Sequence, residues 1–228
     1  MPLGLDLLLV MGTLVIFGAT KKLLKNIQVP RWLVLVFIAA ALIGSFIAPI
    51  QLTDNFLFSI GGALVPLAFC IYLFITIKGT RRKVWTLCAA ALTTVGIFVL
   101  NRLVIQETDI AFMDPMYFSA FFAALVANIL CKNIKSVLTC AISGTLFTGL
   151  IGFFEESITG GYAYLGWGSF FEFDCIMIAA FGSMLIARAM MLAQSIVQRR
   201  AAKKQAAAVP QAQTQIQQSQ PADKAGGQ

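Results

Sequence analysis

The stretch Lys78–Ile105, KGTRRKVWTLCAAALTTVGIFVLNRLVI, decides the fold. It opens on four cations, Lys78, Arg81, Arg82 and Lys83, then runs apolar from Val84 to Ile105 with Arg102 as its one charge near the far end. A helix needs about 20 mostly apolar residues to cross the hydrocarbon core, with roughly 17 to 25 tolerated. Val84–Ile105 meets that length, and cations clustered at one end retain that end in the cytoplasm.

Dividing the rest of the chain at charges and turn residues predicts an all-α fold, a polytopic transmembrane bundle of about seven helices. The expected spans are 3–20, 32–50, 56–77, 84–105, 115–131, 136–154 and 170–196, within a transmembrane domain covering 1–200. After Arg199-Arg200 and Lys203-Lys204 the chain is rich in Ala, Gln and Pro, with too few large apolar groups to offset ordering entropy. Residues 201–228 are therefore expected to form a disordered cytoplasmic tail.

Charge placement carries the topology. Lys21, Lys22, Lys25 and Arg31 fill the first connection, Lys78 to Lys83 the third, and Lys132 and Lys135 the fifth. The alternate connections hold Asp6, Asp54, Glu107, Asp109, Asp114, Glu155, Glu156, Glu172 and Asp174, with Arg102 as their cation. Since basic loops stay inside, this alternation predicts an extracytoplasmic N-terminus, a cytoplasmic C-terminus and a multi-pass plasma membrane protein. The first apolar stretch lacks a basic leader segment and is followed by its lysines, so it is read as a retained span.

Composition narrows function further. Of the 228 residues, 59% are hydrophobic and 12% charged, and the mean hydropathy is +0.84, which excludes an ordinary soluble globular domain. There is no histidine, which removes Ser-His and Cys-His nucleophiles and His-ligated metal or haem. The net charge of +7 lies in loops and tail without stacking aromatics, so it is read as a membrane-surface feature and no nucleic-acid partner is expected. Cys70, Cys88, Cys131, Cys140 and Cys175 are scattered through apolar segments with no ligand spacing, so neither metal nor cofactor is expected.

The informative polar residues cluster at the acidic end. Asp114 before Pro115 reads as a helix N-cap, and Ser169-Phe170-Phe171-Glu172 has the spacing of a capping box. With those assigned to structure, Arg102, Glu155, Glu156 and Asp174 remain, and they suggest an outward-facing vestibule for substrate or ion. Their plainer reading is a set of charges lying among headgroups and water. Thr145, Gly149, Gly152 and Glu156 recur at helical spacing, which puts small residues and one carboxylate on a single face. In Gly61-Gly62-Ala63-Leu64-Val65-Pro66, Pro66 cannot donate to Gly62, so Gly61, Gly62 and Pro66 mark an expected helix break. The segment ITGGYAYLGWG at Ile158–Gly168 is glycine-rich and carries aromatics suited to the membrane interface.

Four stretches carry a family resemblance: G-G-A-L-V-P at Gly61–Pro66, S-G-T-L at Ser143–Leu146, I-G at Ile151-Gly152, and F-D-x-I at Phe173–Ile176. They resemble a prokaryotic multi-pass membrane family known as domain of unknown function 1614. The family has an acid after its glycine in the sixth span, where Phe153-Phe154-Glu155 stands here, and glycines around F-D, where Glu172 and Cys175 stand here. The resemblance singles out Asp174 among the outer acids and implies no particular activity. Three functional readings follow from the residues. One is a small permease or channel for an ion or polar small molecule. The second is a noncatalytic scaffold or partner subunit, homo-oligomeric or bound to another membrane protein. The third is an intramembrane carboxylate hydrolase.

Overall fold

The computed structural model describes residues 6, 8–10, 12–13, 29–53, 55–107, 115–159 and 165–218. The described helices are α1 (Arg31–Ser45), α2 (Val65–Thr76), α3 (Thr80–Glu107), α4 (Pro115–Leu130), α5 (Ile134–Thr159) and α6 (Phe170–Gln218). Asp6, residues 8–10 and residues 12–13 are helical as well, and the rest of the first expected span lies outside the described residues. Met1–Ala187 forms one compact unit and Arg188–Gln228 a second.

Among the described residues three helices are long and apolar enough to cross a membrane: Thr80–Leu103, Ile134–Thr159 and Phe171–Ser195. The shortest has 24 residues, about 36 Å at 1.5 Å per residue, against a hydrocarbon core of about 30 Å. Trp32–Ser45, Ile60–Thr76 and Tyr117–Leu130 are apolar but shorter.

The fold is mostly helical, but a purely helical reading needs correction. A three-stranded sheet of order β1-β2-β3 is formed by Ile50–Thr53, Phe56–Phe58 and Leu165–Trp167. β1 and β2 are antiparallel, Ile50 opposite Phe58, while β2 and β3 are parallel, Phe58 opposite Trp167. Phe56-Leu57-Phe58 was expected to begin a helix because a short apolar run has no periodicity to distinguish strand from helix. What stops the helix from extending back that far is the glycine pair and Pro66. Pro66 occupies the first turn of α2, where its missing N–H is harmless. Before it, Ile60–Leu64 forms a π-helical turn whose Gly62 N–H donates to Ser59 Oγ at 3.3 Å.

The strands satisfy backbone groups that no helix pairs, a strict requirement in an apolar medium. Ser59 N–H donates to Trp167 O at 3.0 Å, and the Trp167 indole donates to Leu146 O at 3.0 Å, which ties the sheet to α5. Backbone also meets backbone here. A Cβ on Gly44 would lie 2.6 Å from Gly61 Cα, and one on Gly62 would collide with the Gly168 carbonyl.

α5 is the central helix, buried continuously from Lys135 to Leu146. Around it a core of small side chains, including Ala89, Ala120, Ala123, Ala127, Cys140, Ala141 and Ala179, brings α3, α4 and α6 close. Small residues serve this purpose because dispersion and hydrogen bonds hold membrane helices together where lipid removes the hydrophobic drive. Asn128 Nδ2 donates both to Ala124 O at 2.8 Å and across to Ser183 O at 3.0 Å, linking α4 to α6.

The C-terminal unit contains the remainder of α6, which stays helical through residues 201–218. The sequence expects disorder there. Ala and Gln are good helix formers and favour continuing a helix that is already nucleated, although Pro210 stands within the run.

Candidate functional site: a charged cavity between α3, α5 and α6

α3 and α5 touch at their starts through Thr86 and Ser136 and at their ends through Arg102 and Glu155, so they run in the same sense, with α4 returning from the acidic end to Trp85. A helix C-terminus carries partial negative charge. Arg102 in the last turns of α3 is favoured by it, whereas Glu155 and Glu156 on α5 gain by finding a cation. Arg102 Nη2 donates to Glu155 Oε2 and closes an ion pair between the two helices. The guanidinium also lies 5.9 Å from the centroid of the Phe98 ring, one helical turn earlier on α3.

The pair borders a cavity of about 450 Å3. Its α5 wall is made of Thr145, Thr148, Gly149, Gly152, Glu155 and Glu156, and its α3 wall of Ile97, Phe98, Asn101 and Arg102. α4 contributes Ser119, and α6 contributes Glu172 and Cys175. Thr145, Gly149, Gly152 and Glu156, grouped by helical spacing in the sequence, thus share one cavity wall. Nothing lies within 4 Å of where a Gly152 Cβ would stand, so the space reaches the α5 backbone.

Glu172 belongs to this wall and is also a helix cap. Its N–H donates to Ser169 Oγ at 3.4 Å, and its Oε2 accepts from Gly168 N–H at 2.6 Å. A standard capping box would use the Ser169 N–H, but that group already donates to Gly166 O at 2.8 Å, so the carboxylate takes the preceding donor. Gly168 reaches this geometry with φ +75.

No family model, curated protein or solved structure matches this chain. The site therefore stands on its own geometry. Of the four residues expected to form it, Arg102, Glu155 and Glu156 come together, and Asp174 does not line the cavity. Asp174 is buried, at 4% exposure. Residues two apart on an α-helix are about 200° apart around the axis, so Glu172 and Asp174 cannot share a face, while Cys175, three on from Glu172, does.

The expected helix break lies elsewhere. Gly62 borders a separate cavity of about 190 Å3 with Ser59, Trp167 and Gly168, beside the sheet. Asp114 lies outside the described residues. Among the described residues no three His, Cys, Asp or Glu side chains are grouped so as to hold a metal ion. The charged cavity sets three glutamates against one arginine, among threonine hydroxyls and open glycine backbone. Such a lining suits a small polar or cationic guest, since Glu155 is paired with Arg102, Glu172 is held by the Gly168 N–H, and Glu156 is left over.

Proposed function

We propose that the protein is a seven-span plasma membrane protein with its N-terminus outside and its C-terminus in the cytoplasm. In this reading the charged cavity is the outer vestibule of a small permease or channel for an ion or polar solute, with cations favoured. The observation that carries it is the Arg102–Glu155 pair on the rim of a 450 Å3 cavity lined by Glu156, Glu172 and two threonines. That volume falls within the range of small-molecule sites, about 300 to 1,000 Å3. Charges at this depth are costly unless paired or hydrated, and the cavity supplies both conditions. Kinship with domain of unknown function 1614 is part of the proposal and rests on the same four segments, Gly61–Pro66, Ser143–Leu146, Ile151-Gly152 and Phe173–Ile176.

The test is flux into proteoliposomes, screened with monovalent cations, small organic cations and anions. Wild-type protein is expected to pass a cation, and Gly152→Leu, which puts a side chain into open cavity, is expected to stop it while the protein stays monodisperse. Equal flux in wild type and Gly152→Leu contradicts the vestibule, as does flux no greater than in empty vesicles. A reporter fused to the C-terminus tests the orientation: it is expected to be active only as a cytoplasmic fusion.

A further inference from the structure

The opposite end of the bundle is built to hold an anion. α3 starts at Gly79, whose φ is +97 and whose carbonyl accepts from Arg82 and Lys83 N–H at 3.1 Å each. Its first turn contains no acid. α5 starts after Asn133, whose carbonyl accepts from Val137 N–H at 2.9 Å. These two N-termini, each with partial positive charge, open on one groove of about 1030 Å3. Arg81, Arg82 and Lys132 line it, and among the described residues no carboxylate does.

The groove is held in shape by hydrogen bonds between helices. The Trp85 indole donates to Leu130 O at 2.9 Å, bridging α3 to the end of α4. Thr86 Oγ1 lies 2.9 Å from Ser136 Oγ and 2.7 Å from Arg82 O, bridging α3 to α5. Lys83 is directed elsewhere, its Nζ 5.9 Å from the Phe74 ring centroid.

From this cationic end two exposed apolar rows lead away along the helices, Val84, Cys88 and Leu92 on α3, and Leu125 and Ile129 on α4. The combination of three cations, two helix N-termini and an apolar track has the polarity of one phospholipid. A free anion would use only the first two features. We propose that this groove binds the phosphate headgroup of an anionic phospholipid, whose acyl chain lies along the α3–α4 rows. Basic recesses between transmembrane helices recognise anionic headgroups in this manner, and an indole at the same level is the usual interfacial anchor. The inference is independent of the vestibule at the other end.

The test is native mass spectrometry of the full chain in neutral detergent, titrated with phosphatidylglycerol or phosphatidylcholine. Wild type is expected to prefer phosphatidylglycerol by at least about fivefold, and Arg81→Gln/Arg82→Gln/Lys132→Gln to lose that preference. Lys83→Gln is expected to keep it. The exposed single change Lys132→Gln is expected to weaken the preference, which preserves the test should the triple variant aggregate. Equal binding of the two lipids by wild type overturns the proposal, and so does an unchanged preference in Lys132→Gln. Displacement of phosphatidylglycerol by millimolar inorganic phosphate also overturns it, because that assigns the groove to a free anion.

Discussion

The two ends of the bundle solve the problem of charge in opposite ways. At the acidic end the charges are of mixed sign, Arg102 pairs with Glu155, and the surrounding helices leave a half-open cavity beside the pair. At the basic end Arg81, Arg82 and Lys132 have no acid among the described groove-lining residues, so they remain exposed along an open groove. The packing differs as well. Gly44, Gly61, Gly62 and Gly168 bring backbone against backbone beside the sheet, apart from the charged cavity, while side-chain hydrogen bonds from Trp85 and Thr86 tie the helices of the basic end together. Charges of mixed sign can pair internally, whereas charges of one sign are left to attract a counter-ion from outside.

The sharpest way to break this contrast is to add one methyl group at each end. Gly62→Ala drives a Cβ into the Gly168 carbonyl and is expected to destabilise by at least about 1 to 3 kcal/mol, read as a lower melting temperature in detergent. Gly79→Ala meets nothing within 4 Å. Its penalty is conformational, about 1 kcal/mol for a non-glycine residue at positive φ. If the two changes are equally tolerated, the backbone contact beside the sheet is not tight.

Smaller effects sharpen it further. Trp85→Phe removes the indole bond to Leu130 while keeping an aromatic ring, and about 0.5 to 1.5 kcal/mol is expected in the same melts. Gly152→Ala adds its methyl to open space and removes a helix-weakening glycine, so the melting temperature is expected to hold or rise slightly, by up to about 1 kcal/mol of stability. A large loss there means that the cavity wall is packed and not hollow.

Much of the helical layout is legible in the sequence because charge and hydropathy report directly on where a chain can lie in a membrane. Five of the described helices and the Ile60–Thr76 segment fall on the expected spans 32–50 through 170–196. The cavity wall of α5 is legible too, since Thr145, Gly149, Gly152 and Glu156 obey helical periodicity. The strands are not, because three apolar residues such as Phe56–Phe58 carry no period, and their pairing with Leu165–Trp167 is set by contacts far along the chain. The choice between Glu172 and Asp174 also depends on how α6 is rotated. Capping and lining are compatible tasks for one carboxylate, and Glu172 performs both, which capping-box spacing alone does not reveal.

The central claim, that Arg102 and Glu155 act as a pair in one hydrated entrance, is tested most directly by exchanging them. Flux should fall strongly in Arg102→Glu and in Glu155→Arg, each of which brings two like charges together. It should recover in the double exchange, which restores the pair with reversed polarity. Flux that is unaffected by either single change, or that stays lost in a well-folded double exchange, contradicts the account.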